Sequence, residues 1–597
     1  MRVAPESGLP IRPGPSAFRL SLATSVWARP FVATRARIPA AVTLLIVLTY
    51  LFSGVIGHDP WKQDEAYTFG MVLHILDTGD WVVPTLAGQP FMEKPPLFYI
   101  VAALAASALS DWLSLHDGAR LAGTFFIGTG LFFTAAAARR LYGIAAMARS
   151  VLIMIGCFGM LVHAHEMITD TALFAGFAVA IFGLAQATTN RIRGGIALGT
   201  GVGIGFMAKG LVEPAMLGLA CILLPLISPL WRTRLYAKVL GIASLAALPW
   251  LLIWPTALYL RNPDAFAAWF WVNNFGRFSG TANLGADTEP WYYTRTLLWF
   301  AFPALPLAAL SLWQRFRSGS LRSDPGTLLL ATIASSMLIV LATAATARSL
   351  YALPLLIPLS LLAGEAINNL PARVLRSASL VAALLFLLLS LLVWAVWITG
   401  VWQGHPPDVV ILRDYLPREF PFRFQFGFFI SAVFCTGLWA YSWLCRRSAI
   451  IAPLRWAAGM TMVWGVAMSL LLPWIDHAKS FRAPFSTIAA LIPVRECVAA
   501  LGLGEPQRGM LHYFAGIVTS AVNNPDDSSC DYFLVQTNKS RDRDRAAPPG
   551  WSPIWSGARA GEKQEHFTVY ARNELIEASA LIEDFGSVGL PFSIADQ

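Results

Sequence analysis

The chain has 597 residues, of which 56% are hydrophobic and only 13% charged, with 22 Trp and a net charge of +9. Soluble domains are roughly 45–50% apolar and about 25% charged, so this balance excludes an ordinary water-soluble protein and makes a bilayer the main solvent. The positive charge does not mark a nucleic-acid binder: the arginines sit in short clusters between apolar blocks of about 17–25 residues, as Lys and Arg do in the cytoplasmic loops of spanning proteins.

Arg12, Arg19, Arg29, Arg35 and Arg37 precede the first apolar block. With no small-residue cleavage site and no short signal-type core ahead of that block, residues 1–39 are expected to form a cytoplasmic basic arm. The first span is predicted over 40–56, and the segment 57–120 after it lies outside. Two helices along the membrane surface are expected there, Ala66–Leu76 and Pro96–Leu109, because Asp111 and Asp117 follow the second with no basic cluster. Leu121–Ala138 ends at Arg139, Arg140 and Arg149, an inside signal. Val151–Leu161 runs outward, His163–Asp170 makes a short outer loop, and Ala172–Ala187 returns to Arg191 and Arg193. Asp170 therefore shares a side with the segment 57–120, a result that uses no motif.

Further spans are predicted at Ile196–Phe206, Met216–Ile227, Val239–Trp254, Thr296–Trp313, Leu328–Ala344, Leu350–Ala366, Leu380–Ile398, Phe428–Trp443 and Ala452–Leu472, with a second outer loop over 255–295. The clusters Arg232/Arg234/Lys238, Arg315/Arg317/Arg322, Arg373/Arg376 and Arg446/Arg447 all fall inside in this scheme. It gives about thirteen crossings in a transmembrane domain over 40–474 and leaves the C-terminus outside. The polar tail, 475–597, carries β-prone runs at Tyr532–Gln536 and His566–Tyr570 and a predicted helix at Pro493–Leu501, with proline in its first turn. It reads as a small extracytoplasmic α/β domain. Cys157, Cys221, Cys435 and Cys445 are packing residues in or beside apolar blocks. Cys497 and Cys530 lie in the tail, where a bridge and two free thiols are both open readings.

Three charged stretches are candidates for chemistry. His58-Asp59-Pro60-Trp61-Lys62-Gln63-Asp64-Glu65-Ala66-Tyr67 follows the first span, and two adjacent carboxylates beside a bilayer are costly if buried and ordinary if solvated, so a wet loop explains this stretch equally well. Gly79-Asp80-Trp81 leads to Glu93-Lys94-Pro95-Pro96-Leu97, where the two prolines hold Glu93 and Lys94 in an extended approach to the second surface helix. A fixed Glu-Lys pair suits a metal or a phosphate, and an exposed ion pair of little worth is the alternative. His163-Ala164-His165-Glu166 offers ligands for a divalent metal, although solvated interfacial histidines are commoner. Asp170, at the end of that loop, joins Asp64 on one side.

Together these motifs resemble the lipid-carrier-dependent glycosyltransferases of the GT-C type, in particular the bacterial aminoarabinose transferases of lipid A and the wider family shared with protein O-mannosyltransferases. The resemblance rests on Asp64-Glu65, Gly79-Asp80-Trp81, Glu93-Lys94-Pro95-Pro96-Leu97 and Thr169-Asp170. It continues through Ala208-Lys209-Gly210, Asn273-Asn274-Phe275-Gly276-Arg277-Phe278, Pro290-Trp291-Tyr292-Tyr293 and Arg348-Ser349-Leu350-Tyr351, and so covers about the first 370 residues.

The resemblance implies a GT-C fold and inverting transfer of a sugar from a polyprenyl phosphate, undecaprenyl phosphate in bacteria, to an envelope acceptor such as lipid A at the periplasmic face of the inner membrane. It implies that Asp64 is the central carboxylate, flanked by Glu65 and Asp170, and that Glu93 binds acceptor or a divalent metal. Lys94, with Lys209, Arg277, Arg348 and Tyr351, would hold the carrier phosphate as it leaves. Two positions depart from the aminoarabinose transferases: Asn274 stands where they tend to carry His, and Leu211 where they tend to carry Pro. A protein hydroxyl as acceptor, or a polytopic transporter or flippase, are the competing readings. The charges concentrate in outer loops rather than at the midplane, which argues against transport.

Overall fold

The computed structural model describes residues 40–282, 289–409, 412, 415–445, 451–537 and 547–575. The expected basic arm over 1–39 and the Arg446/Arg447 cluster lie outside the described residues. The chain opens with the helix Ala40–Phe52, followed by Gln63–Thr78 and Leu97–Leu109 in the segment expected to lie along the membrane. Leu115–Tyr142 starts where the Ser114 side chain accepts the Asp117 amide, a cap worth about 1 kcal/mol, and stops at Gly143.

Glycine governs the packing of the next helices. In lipid no hydrophobic difference drives helices together, so close backbone approach and dispersion must hold them. The helix Arg191–Lys209 carries Gly195, Gly199 and Gly203 on one side, facing Ile242, Ala243 and Trp250 of the helix Arg234–Arg261. Its Gly194, Gly201 and Gly205 face the helix Thr169–Gln186. Gly176 and Gly205 also make room for the fully buried Glu213. A side chain at Gly194, Gly199 or Gly201 would meet backbone of the neighbouring helices, and at Gly203 the Trp250 ring.

Among the described residues, six helices are long and apolar enough to cross a membrane, or eight if each of two bent pairs is one span, and five apolar helices are shorter. The bends correct two straight spans expected from hydropathy. Thr296–Trp313 is Tyr292–Phe300 and Ala304–Arg317 at 102°, and Ala452–Leu472 is Ile451–Leu470 and Leu472–Lys479 at 62°. A proline stands at each bend, Pro303 as the last residue of the first break and Pro473 just past the second, and proline lacks the amide needed to continue the helical ladder. Val151–Leu161 is likewise interrupted: Ile144–Ile155 ends at Gly156, and Phe158–His163 begins after Cys157.

Before the helix Leu97–Leu109 lies a two-stranded hairpin, β1 Thr85–Leu86 and β2 Gln89–Pro90; in the C-terminal region β3 Val498–Leu501, β4 Thr519–Ala521, β5 Tyr532–Thr537, β6 Trp551–Gly557 and β7 His566–Arg572 form a five-stranded sheet of order β4-β3-β5-β7-β6. The strand β3 pairs in parallel with β4 and β5, and β7 pairs antiparallel with β5 and β6. The helix expected over Pro493–Leu501 is absent. Val498–Leu501 is instead a strand paired with Tyr532–Val535, and Cys497 just before it is joined to Cys530 by a disulfide. The helices of this domain are Arg482–Leu491 and Glu505–Ala515. The second lies against Gln63–Thr78 with Gly509 facing Gly70.

Candidate active site

Asp64 and Glu65 occupy the first turn of Gln63–Thr78, where unpaired backbone amides favour negative charge. Tyr67 stands one turn on, on the same face as Asp64, and its hydroxyl donates to Asp64 Oδ1 at 2.7 Å. Arg348 donates through Nη1 to the same oxygen at 3.1 Å and through Nη2 to Oδ2, a bidentate clamp. Burial alone would raise Asp64, but the Arg348 hydrogen bonds, the Lys94 charge and the Tyr67 hydroxyl bring its carboxyl down to about 2. Tyr293 holds the other side of the clamp, its hydroxyl donating to the Arg348 carbonyl at 3.4 Å.

Lys94 arrives from the opposite direction. A tight hairpin pairs β1, Thr85–Leu86, with β2, Gln89–Pro90, and turns through Ala87 and Gly88, both at positive φ. The extended approach expected at Glu93 and Lys94 is not formed: residues 92–94 turn, and Pro95 and Pro96 then lead into the helix Leu97–Leu109. This path puts the buried Lys94 Nζ 3.0 Å from the Tyr67 hydroxyl. Burial works against its charge, yet Glu93, Asp170 and Asp64 hold it protonated above the usual lysine value. Glu93 is bound by Arg277 Nη1. Burial pushes its carboxyl up, and Lys94 and Arg277 outweigh that and keep it ionised. A cavity of about 600 Å³ opens beside this pair, lined also by Phe91, Asn262, Asp264 and Glu505.

Asp170, fully buried in the first turn of Thr169–Gln186, binds Lys209 Nζ, which lies 3.8 Å above the Tyr351 ring. Its second oxygen, Oδ2, has no hydrogen-bond partner among the described residues. Asp64, Lys94, Asp170, Lys209, Arg348 and Tyr351 thus form one continuous cluster, with Glu93 and Arg277 at its edge. Glu65 does not join it. It turns inward, 2% exposed, to Arg120 Nε at 2.6 Å, and the same guanidinium binds Asp117 and the carbonyls of Val55 and His58.

Sequence reasoning gave no role to Tyr67, the last residue of the first charged stretch, or to Arg120. Tyr67 carried a usable signal in its three-residue spacing from Asp64. Arg120 carried another, as an arginine on the expected outer side, where the charge bias of loops does not put it. The Gly79-Asp80-Trp81 motif has a local role: Gly79 ends the helix in the left-handed region, and Asp80 Oδ1 accepts the Val82 amide and Arg261.

The donor set does not fit a divalent metal. Glu93 is committed to Arg277, and both ends of the Asn274 amide are spent on backbone: Oδ1 accepts the Leu211 amide at 3.0 Å and Nδ2 donates to the Trp269 carbonyl at 2.9 Å. Glu166 is shared between Lys62 and His163, while His165 faces the Tyr50 carbonyl. Among the described residues no group of three His, Cys, Asp or Glu side chains is placed to hold a metal.

The helical domain with its surface-helix loop and small C-terminal sheet is the GT-C glycosyltransferase fold. The structure of ArnT from Cupriavidus metallidurans bound to undecaprenyl phosphate superposes with a TM-score of 0.66 at 17% identity, over 89% of this chain and 97% of that one. Its apo state gives 0.67. In sequence, the chain is similar to the undecaprenyl phosphate-alpha-4-amino-4-deoxy-L-arabinose arabinosyl transferases. It is 27% identical to that of Pseudomonas savastanoi pv. phaseolicola over 396 residues, 63% of this chain and 71% of the relative. It is also 27% identical to that of Pseudomonas aeruginosa strain UCBPP-PA14 over 448 residues, 72% and 74%. The resemblance read from the motifs is borne out by these relatives. No family model matches the chain.

Proposed function

We propose that the chain is an inverting glycosyltransferase of the inner membrane that moves a sugar from undecaprenyl phosphate to a phosphorylated glycolipid of the lipid A type, at the periplasmic face. The observation that carries this reading is the hydrogen-bonded row Lys94, Tyr67, Asp64, Arg348 at the head of a surface helix. A leaving phosphate gathers negative charge on its oxygens, and fixed cations aimed at that charge lower the barrier. Lys94 is the principal cation for the carrier phosphate, supported by Arg277, Lys209 and Arg348, with Tyr351 holding the Lys209 ammonium in place.

Asp64 bears on the choice of acceptor. A general base works best with a pKa near the operating pH, and a carboxylate held at about 2 has little tendency to take a hydroxyl proton. A phosphate acceptor needs no deprotonation. One of its oxygens forms the new bond to the anomeric carbon, the bond from that carbon to the carrier oxygen breaks, and its electron pair moves onto the carrier phosphate. Asp64 then orients the incoming group and keeps Arg348 in place, while Asp170 keeps Lys209 charged. Glu65 serves as a structural pivot through Arg120. Glu93 contacts the acceptor side without a metal. The arm over 1–39 is cytoplasmic and the domain over 475–597 periplasmic, a placement supported by the Cys497–Cys530 disulfide, which belongs to an oxidising compartment.

The test uses purified protein in lipid, a panel of undecaprenyl-phosphate sugars, and three acceptors: lipid A, dephosphorylated lipid A and a hydroxyl-bearing peptide. Release of undecaprenyl phosphate is expected with lipid A alone and is lost in Asp64→Asn. Release only with the peptide would make the chain a protein O-glycosyltransferase. A folded protein that releases carrier from no donor would refute the enzyme reading.

A further inference from the structure

The C-terminal domain meets the active-site loop at points that bear on the register of Asp64 and Lys94. Five residues before Asp64, the carboxylate of the buried Asp59 is bound by Arg482, with Nε at 2.9 Å, and by the Ser480 hydroxyl at 2.6 Å. The Asp59 amide donates to Asp476 Oδ1 at 2.8 Å. The Arg482 guanidinium also lies 4.7 Å from the Phe514 ring centre, so one side chain ties the start of the catalytic loop to the helix Glu505–Ala515.

That helix then lies along the Asp64 helix. A Cβ added at Gly70 would come within 3.2 Å of the Gly509 Cα and closer still to Leu86 Cδ1, so the two backbones approach closely with only the tip of Leu86 against the seam. Tyr513 closes the same seam, its ring 4.7 Å from Phe69 and its hydroxyl 3.1 Å from His116 Nδ1. The domain also reaches the hairpin that delivers Lys94. Leu86 of β1 packs into the Gly70–Gly509 seam, Arg508 binds the Gln89 side chain, and Val518 faces Gly88. The helix bearing Asp64 and the hairpin leading to Lys94 are therefore both braced by one body with its own core of Ala499, Cys530, Phe533 and Trp551.

We propose that the C-terminal domain is a working part of the transferase site, and that its Arg482 and Gly509 are positioning residues that hold the Asp64 helix in register with Lys94. This rests on the glycosyltransferase reading above. The geometry on both sides of the sugar must be held closely, because a misplacement of about 1 Å costs on the order of 100-fold in rate. Neither residue touches the reacting atoms. Both act through the distance between the orienting carboxylate and the cation that receives the leaving charge.

Gly70→Ala in the full chain is the sharpest test. Alanine is a better helix former than glycine, so the Asp64 helix persists while the added methyl presses on Leu86 of the hairpin and on the Gly509 backbone. We expect kcat to fall at least about tenfold, with KM for the carrier-linked sugar within about twofold of wild type and the thermal midpoint unchanged. Amide exchange over 63–67 and 91–94 should quicken. Arg482→Met should give the same split, and Arg482→Lys should recover most of the rate.

Turnover and exchange at wild-type values in both Gly70→Ala and Arg482→Met would overturn the inference, as would a rate loss that only tracks a fall in thermal midpoint. If wild type itself releases carrier from no donor, the glycosyltransferase reading fails. The exchange measurement then judges the brace alone: faster exchange over 63–67 and 91–94 in Gly70→Ala supports it, and unchanged exchange overturns it.

Discussion

Asp64 shows how one side chain's surroundings decide its chemistry. Burial and the Arg348 clamp act in opposite directions, and the clamp prevails, holding the carboxyl at about 2 against an ordinary 3.8. A group whose folded value is depressed stabilises the protein fully above its unfolded value and loses that contribution as pH falls through the folded one. Asp64 is mostly buried, so its ionisation contributes about 2 kcal/mol. The thermal midpoint of wild type should therefore exceed that of Arg348→Met by a constant margin from pH 8 to about 5, and the margin should close between about pH 4 and 2. A margin that already shrinks near pH 6 would mean Asp64 titrates as an ordinary base. Lys94→Met should leave the fold in place and cut carrier release by about 100-fold or more, since it removes the buried cation expected to meet the leaving charge. At this scale the sequence was informative about charge and silent about direction. Asp64, Lys94 and Asp170 stood out as charged residues beside apolar blocks. That Glu65 points away from its neighbour Asp64 depends on Arg120, 55 residues further along the chain, and no local pattern records such a pairing.

At the scale of helices, hydropathy located nearly every apolar element but not its shape. The run Thr296–Trp313 is largely apolar, and a window average passes over the 102° bend that contains Pro303. Pro493 misled in the other direction. A proline suits the first turn of a helix, but the chain after it pairs with Tyr532–Val535, a partner more than thirty residues away that local propensity cannot see. Glycine spacing in Arg191–Lys209 was legible without being read, since Gly195, Gly199 and Gly203 recur every four residues. The packing they permit can be checked directly. A Cβ at Gly199 would collide with the Ala243 carbonyl oxygen, which is backbone and cannot swing aside. Gly199→Ala should destabilise the protein in detergent by about 1–3 kcal/mol, the usual cost of overpacking. Gly218→Ala, where nothing lies within 4 Å, should be neutral or slightly stabilising. Equal thermal midpoints for the two variants would mean that the glycine contacts do not hold these helices together.

For the molecule as a whole, the decisive quantity is the side of the membrane on which the site opens. The C-terminal domain, the Asp64 helix and the Lys94 hairpin form one packed body, so locating any of them locates the site. Two independent lines support the outer side proposed above. The disulfide Cys497–Cys530 belongs to an oxidising compartment, and Arg315 and Arg317, in the last turn of Ala304–Arg317, form a basic cluster expected on the opposite, inner side. Val494, 91% exposed at the edge of the C-terminal domain, and the exposed Ser318 beside Arg317 are suitable reporters of the two sides. In a background lacking the partly exposed Cys221 and Cys445, Val494→Cys should react with a membrane-impermeant maleimide in spheroplasts, and Ser318→Cys only after permeabilisation. The reverse pattern would turn Asp64 toward the cytoplasm. A periplasmic acceptor would then be out of reach of the site.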